Sequence, residues 1–581
     1  MNSLLKNKAG SHFDLLIVFS LCLAGFLVFF PVLQCGFVNF DDNRYIYENR
    51  DILHADKDAV VNFFSRCYVG LYLPLTMLSF ALDFTLWRLS PAGFHAMNLF
   101  LHLCNVMLVF TILKRLLKDR RPAFFVCLLF AVHPVQVEVV AWVSQRKTLL
   151  SSFFILLSFL LYARSYESGE EGRRFYRFSL LCYMLSLLSK PAYVFYPFIL
   201  IFYDYCFLKK TWRSALSGKT LFFLFSLMSG GITWYCHQSS GALYFYREGS
   251  FFKNAAVSLA SLGLYARILI FPVRLSVIYE LPREGHFFIS FALGFILLVS
   301  GAFFAAAGLR EKKESVFYLA WVFFIIVPVS GLLLPLSTVA NDRYLYLPSV
   351  AFFVIFLQPL FTMRRPISRL KKFYMAGAGT ALLLFYMFSA HSRIRIWENT
   401  EVLWIDTIAK TRLTHLPFLS LGHFYLEKGN LSAAEKHLDK ALEKAPENID
   451  TLITLSMLFF QKKDYASSMD YLKKAHAVEP TNADILNRMG IISAHQGRKD
   501  DSLLYFFQAI QNRPDYFDPY FNTAVVFFEQ GEKEKAEDFF VLALHAGKDS
   551  SMIMQEHIDR YERMRQIELA DFLESILQKN R

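Results

Sequence analysis

Long apolar stretches separated by short polar segments dominate the first two thirds of this chain. Eleven of them are long enough, or nearly so, to cross a bilayer as helices. They lie at about 13–34, 95–117, 122–141, 148–165, 176–190, 191–208, 219–236, 288–309, 315–334, 345–362 and 373–390. The pattern predicts an all-α, polytopic membrane domain. The first stretch is long and no small-residue cleavage site follows it, so we expect an uncleaved anchor.

Basic residues are concentrated in six short segments between these stretches. The segments carry 23 Lys and Arg against 6 Asp and Glu, a surplus larger than the net charge of +12 of the whole chain. Short basic loops are typical of the cytoplasmic side of a membrane, so the charge argues against nucleic-acid binding. The segments are 1–12, 114–121, 164–177, 208–219, 310–314 and 363–372.

Keeping all six segments in the cytoplasm gives eleven spans, with the N-terminus inside and everything after residue 390 outside. The stretch 254–286 must then enter and leave on the external side, as a re-entrant or interfacial hairpin. Pro272, Arg274 and Glu280 within it favour a hairpin over a clean span. The 8 cysteines show no CxxC or Cys/His spacing, which indicates neither a zinc site nor a disulfide framework.

After residue 410 the aromatic runs give way to charged helical sequence. Pro446, Pro480 and Pro514 recur every 34 residues, and the small and aromatic residues around them are typical of tetratricopeptide repeats. Each repeat is a helix pair whose apolar face only its neighbour covers, so the repeats are expected to stack into an α-solenoid with a concave groove. The predicted boundaries are 1–395 for the membrane domain, 396–414 for a connecting segment, 415–549 for four repeats and 550–581 for a capping helix.

Asp41 and Asp42 follow the first apolar stretch directly. An acidic pair beside an apolar boundary is costly to keep without a use, although Asp also favours turns at helix ends. The predicted topology places the pair on the external face, where polar side chains from distant parts of the chain converge. These are His133, Glu138, Arg146, Lys147, Lys190, Asp342, Arg343 and Tyr344.

Six sequence blocks carry a resemblance to a known family. They are Phe40 to Ile46, Leu73 to Phe80, Gly93 to His102, His133 to Lys147, Leu188 to Lys190 and Asn341 to Ser349. On these blocks the membrane half resembles the transmembrane O-mannosyltransferases that carry tetratricopeptide repeats, members of the GT-C glycosyltransferase superfamily. The repeat array is short, closer to bacterial relatives than to animal ones.

The resemblance implies an enzyme that transfers a sugar, with mannose expected, from a polyprenyl phosphate to Ser or Thr of exported proteins. A hydroxyl is a weak nucleophile, so a carboxylate base is expected, and Asp41 or Asp42 fits this role. The resemblance slightly favours Asp42. Arg343 is the best candidate for the donor phosphate, because a guanidinium binds phosphate oxygens in a bidentate manner. A structural pair between Asp342 and Arg343 is the alternative.

Further candidates for the donor phosphate are Lys190, Arg146 and Lys147. Cations at a membrane end often only snorkel to the interface, which is their structural alternative. Supporting positions are His133, Glu138, Asp342 and Tyr344. His133 precedes a proline at a helix end, so hydrogen bonding in the core is favoured over catalysis. No cofactor or metal is required by the pattern, although a divalent metal stays an open alternative.

The repeats are expected to bind the acceptor protein, because repeat grooves commonly take extended peptides. A folded lid or a dimer contact is the structural alternative. Two other classes of function stay open: a membrane-anchored scaffold without catalysis, which predicts no ordered cluster of acid and arginine, and a lipid-linked saccharide carrier, which predicts a polar route through the bilayer. The expected location is a bacterial inner membrane with periplasmic repeats, or the endoplasmic reticulum with luminal repeats.

Overall fold

The computed structural model describes residues 2–240, 250–280, 284–311, 313–332, 338–362, 368–547 and 550–580. Regular structure in these residues is helical, with one isolated antiparallel bridge between Tyr68 and Leu71. The predicted all-α class is therefore confirmed. The chain divides into two compact units, Met1–Arg412 and Leu413–Arg581.

The first unit is built from eighteen described α-helices. They are α1 (Asn2–Phe29), α2 (Arg50–Leu53), α3 (Lys57–Ser65), α4 (Pro74–Trp87), α5 (Pro91–Leu117), α6 (Arg120–Val132), α7 (Val137–Ala141), α8 (Arg146–Ser165), α9 (Gly172–Ser189), α10 (Tyr196–Cys206), α11 (Trp212–Leu216), α12 (Thr220–Ser239), α13 (Phe251–Ile270), α14 (Glu284–Arg310), α15 (Glu314–Ile326), α16 (Pro348–Thr362), α17 (Arg369–Ile394) and α18 (Thr400–Lys410).

Within its described residues, this unit contains five helical stretches that are long and apolar enough to cross a membrane. They are His12–Gln34, Pro91–Leu117, Val143–Ser165, Gly285–Arg310 and Arg369–Trp397. The pair Arg120–Val132 and Pro134–Ala141, bent by 49°, is a sixth candidate. The unit is thus a multi-pass membrane domain. Since other predicted spans correspond to shorter helices such as α15 and α16, the total of eleven spans stays a prediction.

The re-entrant or interfacial hairpin expected at 254–286 stays a prediction, and α13 is not among the described helices that are long and apolar enough to cross a membrane. The stretch begins within α13, a single continuous helix, and only residues 271–280 after that helix are irregular. The helix packs along α14, where a Cβ added to Gly263 would lie 2.0 Å from the carbonyl oxygen of Ser290. Backbones this close require glycine, and the apolar pattern alone does not reveal such a contact.

Cys67 and Cys236 form a disulfide with their Cα atoms 5.7 Å apart. This pairing was not predicted, because 169 residues separate the two cysteines and no local spacing connects them. The bond fixes the irregular segment between α3 and α4 to the end of α12, so these two parts of the chain lie on the same side of the membrane domain.

The second unit consists of consecutive helices that pack in pairs. They are α19 (Leu416–Glu427), α20 (Leu431–Lys444), α21 (Ile449–Gln461), α22 (Tyr465–Val478), α23 (Ala483–His495), α24 (Lys499–Asn512), α25 (Phe517–Glu529), α26 (Lys533–His545), α27 (Ser550–Arg563) and α28 (Ile567–Lys579). Caps agree with the repeat pattern: Asn430, Asn448 and Asn482 each accept a backbone N–H at the start of a helix.

Two boundaries differ in detail from the sequence pattern. The segment predicted as a connector belongs to the first unit up to Arg412, and Trp397 and Trp404 in it are fully buried. The predicted single capping helix is two helices, α27 and α28, separated at Arg565, which has a positive φ of 59°. The subdivision into repeats at 415–549 stays a prediction.

Candidate functional site

Two hydrogen bonds hold the acidic loop, residues 35–42, against α18. The N–H of Asn39 donates to the hydroxyl of Thr400 at 3.0 Å, and the indole N–H of Trp404 donates to the Asn39 side-chain oxygen at 2.7 Å. The loop therefore has a defined conformation rather than the mobility usual for a polar connection.

Asp42 is buried within this loop, with 1% of its surface exposed. Its Oδ2 accepts the N–H of Val38 at 3.1 Å, while its Oδ1 accepts the N–H of Ser144 at 2.9 Å and also the Ser144 hydroxyl. Burial raises the pKa of Asp42 to about 7, although these hydrogen bonds oppose the rise. Asp42 thus anchors the loop to the segment that precedes α8.

Asp41 has a different environment from its neighbour. Its φ is +73°, a left-handed conformation that residues with a Cβ seldom adopt and that is frequent at functional positions. Its side chain is 29% exposed, and its Oδ2 lies 3.6 Å from the Nζ of Lys147. Of the two aspartates, Asp41 is therefore the one that a substrate can reach.

Arg343 lies in the short turn Asp342–Leu345, and its Nη1 donates to the Oε1 of Glu138 at 2.6 Å. Its guanidinium carbon is 5.4 Å from the ring centre of Trp142 and 5.2 Å from that of Tyr344. Burial alone would lower the pKa of Arg343, but the Glu138 carboxylate raises it above the usual value. The guanidinium is thus charged and still 15% exposed.

Asp342 does not form the structural pair with Arg343 that was the alternative prediction. Its Oδ1 accepts the hydroxyl of Tyr279 at 2.6 Å, and its side chain is buried. Burial and the nearby Glu138 carboxylate raise the pKa of Asp342. Asp342 and Arg343, although adjacent in sequence, therefore have different hydrogen-bond partners.

Lys147 and Lys190 complete a cluster around Asp41 and Arg343. Electrostatic interactions connect Lys147 with Asp41 and Arg343, and Lys190 with Lys147, Arg343 and Glu138. The Lys190 ammonium also donates to the hydroxyl of Thr148 at 2.9 Å. The acid–arginine cluster, as we call it, consists of Asp41, Glu138, Lys147, Lys190 and Arg343. The three basic side chains outnumber the two carboxylates by one, which suits an anionic ligand.

Arg146 does not join this cluster, so its predicted role at the donor phosphate does not fit the structure. The side chain is fully buried, and its Nη2 donates to Asp83 at 2.7 Å and to the carbonyl of Phe94 at 2.9 Å. Its Nε donates to the side chain of Asn98 at 2.5 Å. Successive residues of a helix point about 100° apart, so Lys147 faces the cluster while Arg146 faces α4 and α5.

His133 is also a structural residue, as the preferred interpretation of its sequence position predicts. It is fully buried, its Nδ1 accepts the N–H of Val135 at 3.2 Å, and its Nε2 lies 3.1 Å from the carbonyl of Leu269. Both ring nitrogens are thus used, which requires the proton to be on Nε2. A supporting role in catalysis does not fit His133.

Sequence reasoning missed Trp142, which lies at the centre of the site. The Trp142 ring stacks on Phe40 of the acidic loop at 4.5 Å and on Trp397 at 5.6 Å, and it also contacts Arg343. A buried tryptophan in an apolar run looks like ordinary packing, so the sequence holds no signal for this role. In the part of the chain that the structure describes, no group of three or more His, Cys, Asp or Glu side chains is placed to hold a metal ion.

The apolar helices of the first unit and the paired helices of the second define a multi-pass membrane protein with a helical repeat array. Family models described as tetratricopeptide repeat match residues 418–448 and 488–551. The chain is 25% identical over 441 residues to the Homo sapiens protein O-mannosyl-transferase TMTC1, which covers 67% of this chain and 49% of that protein. It is 23% identical over 532 residues to Drosophila melanogaster Tmtc3, covering 77% and 57%.

The chain is therefore homologous over most of its length to the transmembrane, tetratricopeptide-repeat protein O-mannosyl-transferases, which confirms the resemblance predicted from the sequence. It spans about half the length of the curated relatives it matches. Among solved structures it is similar to Pseudomonas aeruginosa pilF, with 23% identity, coverage of 28% of this chain and 75% of that chain, and a TM-score of 0.24. That score is too low to bear on the fold.

Proposed function

We propose that this chain is an integral membrane glycosyltransferase that moves a sugar, mannose in the first instance, from a polyprenyl phosphate to Ser or Thr hydroxyls of exported proteins. The observation that carries the proposal is the acid–arginine cluster, in which the partly exposed Asp41 carboxylate lies 3.6 Å from Lys147, with Arg343 and Lys190 in the same cluster. The names of the homologous proteins support the choice of reaction.

The cluster supplies the groups that this transfer needs. The acceptor oxygen attacks the anomeric carbon, the bond from that carbon to the phosphate oxygen breaks, and the bonding electrons leave with the polyprenyl phosphate. Asp41 takes the hydroxyl proton as general base. Arg343, Lys147 and Lys190 bind the phosphate oxygens and neutralise the charge that develops on the leaving group. Attack opposite the leaving phosphate inverts the configuration at the anomeric carbon.

We place the cluster on the non-cytoplasmic side of a bacterial inner membrane, with the endoplasmic reticulum lumen as the equivalent alternative. The basic segments support this orientation. So does the disulfide between Cys67 and Cys236, because disulfides persist in oxidising compartments. The repeats begin after α18, whose 11 residues are too few to cross a membrane, so they are assigned to the same side as the end of α17.

The repeats are assigned to binding of the acceptor polypeptide. A scaffold without catalysis predicts no ordered cluster of acid and arginine, and the ion pairs of Arg343 and Lys147 favour the enzyme over that alternative. A saccharide carrier needs a polar route through the bilayer. One cavity, between α5, α8, α15 and α16, is lined by apolar and aromatic residues such as Leu113, Leu156 and Trp321 and offers no such route itself.

The decisive experiment supplies polyprenyl-phosphate mannose and a Ser/Thr-rich acceptor peptide to the purified full chain and to three variants, Asp41→Asn, Arg343→Ala and Arg395→Ala. Arg395 is exposed and serves as the matched control. Loss of transfer in the first two variants alone supports the proposal. Equal transfer by all four proteins overturns the site. A nucleotide sugar is supplied in a parallel reaction, and transfer from it alone overturns the assigned donor.

Topology is tested separately by thiol labelling. A cysteine placed at Asn430 should react with a membrane-impermeant reagent added outside intact cells or spheroplasts. Reaction only after the cytoplasm is opened contradicts the assigned orientation.

A further inference from the structure

Another buried cation, outside the acid–arginine cluster, has an unused binding edge. Arg393, in the last turn of α17, is 5% exposed, and its Nη1 donates to Asp406 at 3.2 Å. Its Nε and Nη2 have no hydrogen-bond partner among the residues that the structure describes. These two nitrogens form the side of a guanidinium that binds two oxygens of one anion. Buried charged donors left unpaired are strongly unfavourable.

Polar groups interact with Arg393, and one of them adjoins a second hydroxyl that has no partner among the described residues. Arg393 interacts electrostatically with Tyr279 and with Asp342, to which the Tyr279 hydroxyl donates. The N–H of Ser276 donates to the Tyr279 oxygen at 3.2 Å. The Ser276 hydroxyl is buried and, within the described ranges, also lacks a partner. A guanidinium edge and a hydroxyl donor thus lie on two elements that both adjoin Tyr279.

Local charge leaves room for an anion. The Lys410 ammonium donates to Asp406 at 2.6 Å and to the carbonyl of Leu275 at 2.8 Å, so one carboxylate serves both Lys410 and Arg393. Asp342 is the second carboxylate nearby, and burial disfavours its charged form. Two basic side chains, Arg393 and Lys410, therefore share the Asp406 carboxylate, and Asp342 is the other carboxylate nearby.

We propose that Arg393 and Ser276 form an oxyanion site that takes a phosphate group, free or as the headgroup of a lipid phosphate. The Nε and Nη2 of Arg393 bind two phosphate oxygens side-on, and the Ser276 hydroxyl donates to the same group. The site adjoins the acid–arginine cluster through Asp342, which interacts electrostatically with Glu138, Arg343 and Arg393, but it uses a different guanidinium. It requires no transfer activity.

Binding is measured on the full chain in detergent, as the shift of the thermal unfolding temperature with inorganic phosphate at constant ionic strength set by chloride. Polyprenyl phosphate and formate are titrated in parallel. The variants are Arg393→Lys, which keeps the charge for Asp406 but loses the side-on edge, Ser276→Ala, Arg343→Lys and the exposed control Arg395→Lys. Each variant is compared with its own ligand-free state, so a change in basal stability does not obscure binding.

Saturable stabilisation of the wild type by phosphate is expected, weakened about tenfold or more by Arg393→Lys, since charge-assisted hydrogen bonds are each worth enough for such a change. Ser276→Ala weakens it less, and the exposed control Arg395→Lys binds as the wild type does. A response to polyprenyl phosphate alone that is lost in Arg393→Lys identifies a lipid headgroup, and an equal response to inorganic phosphate that is lost in the same variant identifies the free anion. No response to either, a response to formate alone, or a loss confined to Arg343→Lys overturns the site.

Discussion

The two adjacent aspartates are expected to separate catalysis from stability. We predict that Asp41→Asn abolishes most sugar transfer and leaves folding intact, whereas Asp42→Asn destabilises the protein. The reason is geometric: Asp41 is partly exposed beside Lys147, and Asp42 is buried with both oxygens bonded to Val38 and Ser144.

Asp41→Asn is expected to change the rate of transfer, whereas Asp42→Asn is expected to change the free energy of unfolding. Removing a general base costs about 10²- to 10⁴-fold in rate, or about 3 to 5 kcal/mol of transition-state stabilisation. The contact of Asp41 with Lys147 is partly exposed and contributes about 0 to 1 kcal/mol to folding. In Asp42→Asn the new amide places a donor against the N–H of Val38. Losing that hydrogen bond costs about 1 to 3 kcal/mol of folding free energy, and unfolding is compared at pH ~4, where Asp42 is protonated and its burial carries no charge penalty.

The assay combines single-turnover transfer from polyprenyl-phosphate mannose with thermal unfolding of the same preparations. Asp41→Asn should unfold at the wild-type temperature and transfer slowly. Asp42→Asn should unfold at a lower temperature and retain transfer below it. If Asp41→Asn transfers at the wild-type rate while Asp42→Asn loses transfer without losing stability, Asp42 is the base and this assignment of roles is wrong.

Three further predictions concern Glu138, Asp42 and the disulfide. Glu138→Gln should raise the donor KM several-fold, because it removes the ion pair that holds the Arg343 guanidinium in position. An unchanged KM in steady-state kinetics would contradict this. Because the folded-state pKa of Asp42 is raised to about 7, its protonated form stabilises the fold below pH ~4, and about 4 kcal/mol is lost as the pH rises through 7. Asp42→Asn should flatten this slope in unfolding measurements between pH 4 and 8. Reduction, or Cys67→Ser, should lower stability by about 2 to 4 kcal/mol; alkylation of Cys67 without a reductant would disprove the bond.

Long-period features of the chain could be predicted from sequence. The 34-residue recurrence of Pro446, Pro480 and Pro514 predicts the repeat unit, because every repeat must bury the same face against its neighbour. The convergence of Asp41, Lys147 and Arg343 follows from the basic segments, since positive charge orients the spans. Both depend on averages over many residues, which single substitutions hardly disturb.

Individual contacts could not be predicted in the same way. The disulfide between Cys67 and Cys236, the close approach at Gly263 and the central position of Trp142 each depend on which helices lie side by side. No local pattern encodes that information.

Three pairs of consecutive residues show why the location of the site is easier to predict than the individual residues that form it. In Asp41–Asp42, Arg146–Lys147 and Asp342–Arg343, one member lies in the acid–arginine cluster and the other is buried in structural hydrogen bonds.

In each pair, one residue is held by several hydrogen bonds and so fixes the position of the backbone. The other residue can then point into the site. The sequence therefore displays both charges without distinguishing them. It follows that each pair is its own matched control. Loss of transfer should be confined to Asp41, Lys147 and Arg343, while loss of stability should dominate at the three residues beside them.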